Sequence, residues 1–364
     1  MLLSKRGWFY LVGILLVWVC LIPYTWAAQH AVILHYEHVS ERTPPKQSIS
    51  PDDFAKHLKI IEKEGFQVWP LPTILSYLRT RKPLPDKVIA ITFDRAYISV
   101  YQNAIPLLQA RQWPFTLFIS AQDVESIYPT FMTWKMLKEV QAKGVTFANQ
   151  AYRYDFLVRL QAQETPQAWY QRILTSIKEN QARIEMHLGK QPKIFAYPYG
   201  EYSPELQSLI AKAGYYGVGQ QEGPASLYAS LTALPRFSMT GAHAQVASLS
   251  SKLYALPLPV IKQTPQSSVL DGQERRPSVY LELENGDYRL QSLNCYDHQG
   301  HLLKVKREKN HLQASQVWVS TTYDLQAGQG YFQCKAPSKE SARTYWWMMP
   351  WFIPDENGRW YRKP

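Results

Sequence analysis

An aspartate at the end of a hydrophobic run is the position in this 364-residue chain whose setting most favours chemistry. The run from Lys87 to Phe93 predicts a buried strand, Asp94 follows it, and a helix-like run extends from Tyr101 to Gln109. In parallel α/β folds the C-terminal tips of strands build the sites, so a carboxylate there is a candidate acid–base group. The alternative is an aspartate that only caps the next helix.

Four sequence blocks together resemble a known family. Thr92–Tyr97 reads Thr-Phe-Asp-Arg-Ala-Tyr, and Phe195–Tyr202 reads Phe-Ala-Tyr-Pro-Tyr-Gly-Glu-Tyr. Met132–Trp134 and Leu234–Phe237 are shorter matches. Over about residues 30–258 the chain resembles the polysaccharide deacetylases with a NodB-type domain, carbohydrate esterase family 4. The resemblance implies an α/β fold, a distorted (β/α)7-type barrel.

The resemblance also implies a metal centre, whose ligands differ in this chain. In the family a divalent metal such as zinc, held by one Asp and two His, activates the attacking water. These ligand positions correspond to Arg95, Gln150 and Tyr154. A guanidinium is a permanent donor that cannot coordinate a cation, and Gln and Tyr are poor ligands beside imidazole. We therefore expect no metal and no other cofactor.

Other roles follow from the same resemblance. Asp94 takes the place of the catalytic base, Glu37 that of the general acid, and Arg236 that of the arginine that orients the base. The backbone N–H of Tyr199 takes the place of the oxyanion donor. The expected substrate-contacting residues are Arg95, Tyr97, Tyr197, Pro198, Gly200 and Trp134.

Two of these assignments have alternatives. Arg95 could form a structural ion pair with Asp94, and Trp134 could pack at a helix start instead of stacking on a sugar ring. The remaining histidines offer no replacement metal site. His35 and His38 are three apart on a predicted strand, which places them on opposite faces.

Composition changes divide the chain into four regions. Residues 1–27 have the layout of a signal peptide, 28–258 form the deacetylase-like domain, 259–277 read as a Pro-rich linker, and 278–364 predict a small all-β, sandwich-like domain. The apolar run of the signal is 15 residues, short for a spanning helix, although an uncleaved signal anchor is an alternative.

The second domain carries two cysteines and an aromatic-rich end. An exported chain with Cys295 and Cys334 most simply forms one disulfide, the alternative being two buried thiols. The run from Tyr345 to Phe352, with Trp360 and Tyr361, is either a glycan platform or core packing.

The whole pattern predicts an exported protein of the periplasm or cell envelope, secreted or anchored. It would bind an N-acetylated polysaccharide, with N-acetylglucosamine units, without metal-dependent hydrolysis. The alternative is an active N-deacetylase with a rebuilt or metal-independent site. An active deacetylase or export machinery are possible protein partners. The net charge of +11 is compatible with the envelope, no nucleic-acid motif is present, and membrane contact would require an uncleaved signal.

Overall fold

The computed structural model describes residues 27–141, 144–309 and 314–361. The predicted signal peptide lies outside the described residues, except for its last position. No helix in the described part of the chain combines the length and apolar composition needed to cross a bilayer.

Seven parallel strands form the barrel of the first domain. They are β1 His30–Tyr36, β2 Val88–Phe93, β3 Phe115–Ile119, β4 Val145–Asn149, β5 Ile194–Ala196, β6 Tyr216–Val218 and β7 Phe237–Ser238. Their order is β6–β5–β4–β3–β2–β1–β7. The segment before β7 closes the circle, because the Leu234 N–H donates to the Gly217 carbonyl of β6. This confirms the predicted barrel.

Eight α-helices of the described chain surround or close this barrel. They are α1 Pro51–Lys63, α2 Leu71–Arg79, α3 Ile105–Gln109, α4 Ala121–Val124, α5 Trp134–Gln141, α6 Pro166–Leu188, α7 Pro204–Lys212 and α8 Val246–Leu253. A π-helical turn, Val100–Ala104, precedes α3. Ser50 caps the start of α1, since its hydroxyl accepts from the Asp53 N–H.

Strand alternation determines which side chains face the barrel interior. On β1, Ala31 and Ile33 belong to the interior cluster, whereas Val32 and Leu34 pack towards the helices. On β2, Ala90 faces inward, so Thr92 and the following Asp94 continue the same face. The interior therefore changes from apolar to polar towards the C-terminal strand ends, where the site lies.

Two four-stranded sheets form the second domain. Its strands are β8 Leu256–Pro257, β9 Val260–Thr264, β10 Ser278–Glu284, β11 Asn294–Asp297, β12 Lys304–Lys309, β13 Ala314–Ser320, β14 Gly328–Pro337 and β15 Thr344–Ile353. One sheet has the order β8–β15–β14–β11 and the other β9–β10–β13–β12. Short pairs elsewhere involve Ala27–Ala28, His38–Val39, Ser48–Ile49, Gln67–Val68, Leu84–Pro85 and Ala225–Ser226.

The expected linker, 259–277, is not wholly a linker. Val260–Thr264 is strand β9, which pairs antiparallel with β10. Its flanking prolines obscured the strand pattern, but an edge strand has an unpaired side and tolerates proline at its ends. The second domain therefore begins near Leu256.

The aromatic run on β15 packs on both sides of its sheet. Trp351 is fully buried in the sandwich core, while Trp346 and Phe352 face the barrel and contact Phe237 and Tyr202. These three residues therefore serve core and interdomain packing. The Cys295–Cys334 disulfide joins directly paired positions of β11 and β14, as predicted.

Candidate functional site

A buried ion pair lies at the centre of the barrel mouth. The Arg236 guanidinium donates to both carboxylate oxygens of Asp94, at 2.6 and 2.9 Å, and neither side chain is exposed. Arg236 Nε also donates to the Gly219 carbonyl, and the second Nη1 bond reaches the Thr92 hydroxyl. Because its donors are used in this way, Arg236 fixes Asp94 rather than presenting itself to a ligand.

The same environment keeps Asp94 ionised. Burial alone would raise the pKa of its carboxyl, but Arg236 and His35 hold that pKa well below its usual range. The Nε2 atom of His35 lies 3.2 Å from the second carboxylate oxygen of Asp94. Asp94 is therefore ionised at neutral pH, as a proton acceptor must be, but a carboxyl with so low a pKa is a weak base and also fits the anion of a structural cluster.

Arg95 does not pair with Asp94, so that alternative is wrong. Its guanidinium donates to both carboxylate oxygens of Asp123, each at 2.9 Å, and to the Tyr97 hydroxyl at 2.8 Å. The positive φ of 54° turns Arg95 away from the strand direction that carries Asp94. Asp94 is left to Arg236, and Arg95 pairs with Asp123 of the short helix α4, which follows β3.

Aromatic rings enclose the Arg95 guanidinium. Its central carbon lies 4.6 Å from the ring centroids of Phe131 and Tyr154 and 5.2 Å from that of Tyr97. Burial lowers the pKa of the Arg95 guanidinium, but the Asp123 carboxylate and Tyr97 outweigh it. A permanent positive charge therefore lies at the position that corresponds to the family's metal-binding Asp.

The side chains at the other two positions that correspond to the family's metal ligands, Gln150 and Tyr154, also form hydrogen bonds within the protein. Gln150 is fully buried, and its Oε1 accepts from the Arg95 backbone N–H at 3.0 Å. The Tyr154 hydroxyl accepts from the Tyr199 backbone N–H at 3.2 Å. Burial raises the pKa of Tyr154 well above its ordinary value, so the phenol stays neutral.

The loop after β5 has a left-handed backbone at two successive residues, and its Tyr199 N–H is already hydrogen-bonded. Tyr199 has a φ of 57°, and Gly200 also lies in the left-handed region. A Cβ at Gly200 would come within 2.7 Å of Gln220 Cβ, so glycine is required there for space as well as for conformation. Pro198 is buried, and the buried Tyr197 hydroxyl donates to the Thr232 carbonyl, so both support the loop.

A second arginine, Arg159, supports this loop from the barrel side. Arg159 pairs with the buried Glu201 at 2.8 Å and stacks over the Phe156 ring at 3.3 Å. Phe156 stacks in turn on Tyr199 at 4.2 Å. Gln329 of β14 donates to the Tyr199 carbonyl, so both domains hold the loop.

The remaining predicted residues fall into two groups. Tyr97, stacked on His38, and Glu37, 3.9 Å from His35 Nε2, lie with Asp94 and Arg95. Trp134 stacks instead on His187 of α6 at 4.4 Å, as its packing alternative predicted.

The donor set does not fit the family's metal. Arg95 brings positive charge, Gln150 Oε1 and the Tyr154 hydroxyl already accept hydrogen bonds, and no imidazole stands at either histidine position. Across residues 27–141, 144–309 and 314–361, no three His, Cys, Asp or Glu side chains gather as a metal-binding group.

Two site residues were missed from the sequence. Asp123, four residues past β3, lies where a strand-tip carboxylate would be sought. His35 was placed apart from His38, but β1 ends at Tyr36, so strict alternation does not extend to His38. His35 precedes Glu37 by two positions, and that spacing was the available signal.

Comparisons with known proteins bear on the fold and the family. The profile of the family described as polysaccharide deacetylase matches residues 81–218. A putative polysaccharide deacetylase of Bacillus subtilis (strain 168) is 28% identical over 210 residues, covering 56% of this chain and 69% of that protein. The poly-beta-1,6-N-acetyl-D-glucosamine N-deacetylase of Escherichia coli (strain K12) is 21% identical over 248 residues, covering 58% of this chain and 37% of that protein.

A solved structure shows the same fold. The deacetylase PplD of Streptococcus pyogenes, in complex with acetate, superposes with a TM-score of 0.55 at 22% identity. The match covers 62% of this chain and 98% of that chain.

Proposed function

Since the first domain of this chain belongs to the polysaccharide deacetylase family, we propose that it binds an N-acetylated polysaccharide at the barrel mouth without metal-dependent hydrolysis. The substrate class comes from the family and from relatives named for poly-beta-1,6-N-acetyl-D-glucosamine.

The observation that carries the proposal is the enclosed Arg95. Its guanidinium, paired with Asp123 and ringed by aromatic side chains, stands where the family holds the metal through an Asp. A guanidinium cannot lower the pKa of a bound water, because it has no coordination site for one. The metal's part in hydrolysis therefore has no equivalent here.

Arg95 retains a capacity to bind. Three of its five N–H groups contact Asp123 and Tyr97, which leaves one N–H on each terminal nitrogen. An acetamido carbonyl is a suitable acceptor for these donors, and the surrounding rings suit the apolar face of a sugar. The mouth thus favours recognition of an acetylated unit.

The test measures binding and acetate release on the same purified protein. The probes are β-1,4- and β-1,6-linked N-acetylglucosamine oligosaccharides, with and without added zinc, cobalt or nickel. We expect calorimetric binding and no acetate release. Acetate release that a chelator abolishes would overturn the proposal.

A charge reversal locates the binding. Arg95→Glu should weaken the oligosaccharide Kd about tenfold, a loss of about 1.4 kcal/mol. Arg153→Glu is the matched control, because Arg153 is an exposed neighbour whose Nε donates only to Gln122. Equal oligosaccharide affinity of the two variants would contradict binding at the barrel mouth.

One observation favours the second candidate, an N-deacetylase with a rebuilt site. Asp94 is ionised beside His35, and Glu37 lies nearby, so a proton acceptor and a possible proton donor are present. This candidate predicts metal-independent acetate release that Glu37→Gln and Asp94→Asn both reduce. Release that persists in both variants would remove these residues from the reaction.

The setting we propose is extracytoplasmic. The Cys295–Cys334 disulfide favours an oxidising compartment, and the amino-terminal pattern is that of a signal peptide. A protein there that binds polymer without cleaving acetyl groups would serve as a helper to an active deacetylase or to export machinery.

A further inference from the structure

A cleft of about 330 Å³ lies between the barrel and the sandwich, apart from the barrel mouth. The segment 221–235 forms its barrel wall, and β9 with residues 346–348 forms its sandwich wall. Its volume is at the lower end for small-ligand sites, which often occur at domain interfaces. The proposed function does not use this cleft.

Glutamine side chains give the cleft its chemistry. Four line it, Gln207, Gln221, Gln263 and Gln266. The Nε2 groups of the last three donate to backbone carbonyls. Gln266 is exposed and Gln263 half-buried, so their Oε1 atoms are the acceptors that a ligand in the cleft can reach, whereas the Oε1 of Gln221 is buried and packs against Gly219. Sugar hydroxyls are donors that match such acceptors.

Aromatic side chains line the same cleft. Tyr202, Tyr228 and the half-buried Trp347 are among its walls. Rings beside amides form a surface on which a sugar can pack one face and hydrogen-bond at its edges. Amides with aromatic rings therefore fit a polyhydroxy ligand better than a wholly apolar one.

The charges of the cleft favour a neutral ligand. Glu222 is the buried carboxylate in its wall, but Lys252 pairs with it at 2.8 Å and His243 lies 3.3 Å away. Lys262 lines the cleft from an exposed position. No uncompensated buried charge among the described lining residues would select an ion, so acetylated units are preferred to cationic glucosamine units.

We propose that this interdomain cleft is a second glycan site, which binds a short, neutral run of N-acetylated sugar units. The ligand class rests on the proposed function, since the same polymer would occupy both sites. Both walls belong to one folded chain, so the two sites hold a polymer at fixed separation, and binding at one raises the effective concentration at the other.

The test fills the cleft and leaves the mouth intact. Ala229→Trp introduces a large side chain into the wall, and Ala211→Trp on the exposed face of α7 is the matched control. Gln266→Ala is the milder second variant, since Gln266 is exposed and its loss should not unfold the chain. The probe is a β-1,6-linked N-acetylglucosamine pentasaccharide, measured by calorimetry on the full chain after far-UV circular dichroism confirms folding.

We expect Ala229→Trp to weaken binding about tenfold and Gln266→Ala to weaken it less, with Ala211→Trp unchanged. Ala229→Trp should also weaken the binding that remains in the Arg95→Glu variant, because that binding is at the cleft. Equal affinity of Ala229→Trp and Ala211→Trp overturns the cleft site and leaves the mouth untouched. Weaker pentasaccharide binding in Ala229→Trp, with unchanged binding in Arg95→Glu, would support the cleft site and overturn the mouth site. The failure of one proposal can therefore be told from the failure of the other.

Discussion

The Tyr154 hydroxyl accepts a hydrogen bond from the Tyr199 backbone N–H, with 3.2 Å between nitrogen and oxygen. By resemblance, Tyr154 replaces a metal-binding histidine and Tyr199 supplies the oxyanion donor. One substitution thus removes a metal ligand and also occupies the donor that would stabilise a tetrahedral intermediate. The two losses are physically coupled, because the phenol is long enough to reach the neighbouring loop.

Removing that hydroxyl should release the Tyr199 N–H. We expect Tyr154→Phe to accelerate hydrogen exchange at the Tyr199 amide and to lower the free energy of unfolding by about 1 kcal/mol, the value of one hydrogen bond. Exchange mass spectrometry of the peptide around residues 197–201 measures the first effect, and denaturant titration the second.

Tyr152→Phe is the control for that variant. Its hydroxyl donates to Glu125 at an exposed site, so neither exchange at Tyr199 nor stability should change appreciably. Unaltered exchange in Tyr154→Phe would mean that Tyr154 does not protect the donor.

Restoring the family's ligands should restore metal binding. The triple variant Arg95→Asp, Gln150→His, Tyr154→His supplies one carboxylate and two imidazoles on a backbone that retains the loop geometry. We expect elemental mass spectrometry to find about one zinc per chain in this variant and none tightly bound in the wild type. Arg95→Asp alone, with one ligand, is the control and should stay metal-free. Zinc held by the wild type would show that other residues supply ligands.

Most of the fold could be predicted from the sequence, whereas the pairing of side chains within the site could not. The hydrophobic run before Asp94 predicted strand β2, because a strand pattern depends on local spacing. The pairing of Arg95 with Asp123 depends on how the turn after β2 and helix α4 approach each other, and the two residues are 28 positions apart, so no local pattern encodes it. The aromatic run on β15 was ambiguous because both faces of that strand are covered.

Glu222 should make stability depend on pH at the domain interface. Burial raises the pKa of this carboxyl, but His243 and Lys252 outweigh it and lower the pKa to about 2. Burial also lowers the pKa of Lys252, although Glu222 opposes that shift. A depressed acid contributes stability above its unfolded pKa of about 4.5, and the contribution is lost as pH falls towards 2.

Glu222→Gln should therefore flatten the unfolding free energy between about pH 4.5 and pH 2, where the wild type loses about 3 kcal/mol from this group. Chemical denaturation at a series of pH values measures the difference. Glu205→Gln, on the exposed face of α7, is the control and should retain the wild-type slope. A wild-type slope in Glu222→Gln would contradict the assignment.

The two arginine–aspartate pairs of the site should differ sharply in energetic weight. Asp94 and Arg236 are wholly buried, so Asp94→Asn leaves a buried guanidinium without its anion and should cost about 3–5 kcal/mol. Arg95 and Asp123 are each 16% exposed, and Asp123→Asn should cost about 1 kcal/mol because water reaches the freed guanidinium. Denaturant titration compares them at constant pH. A cost of only about 1 kcal/mol for Asp94→Asn, equal to that of Asp123→Asn, would mean that solvent reaches Asp94 as readily as Asp123. A loss of function in Asp94→Asn would then report on chemistry rather than on lost stability.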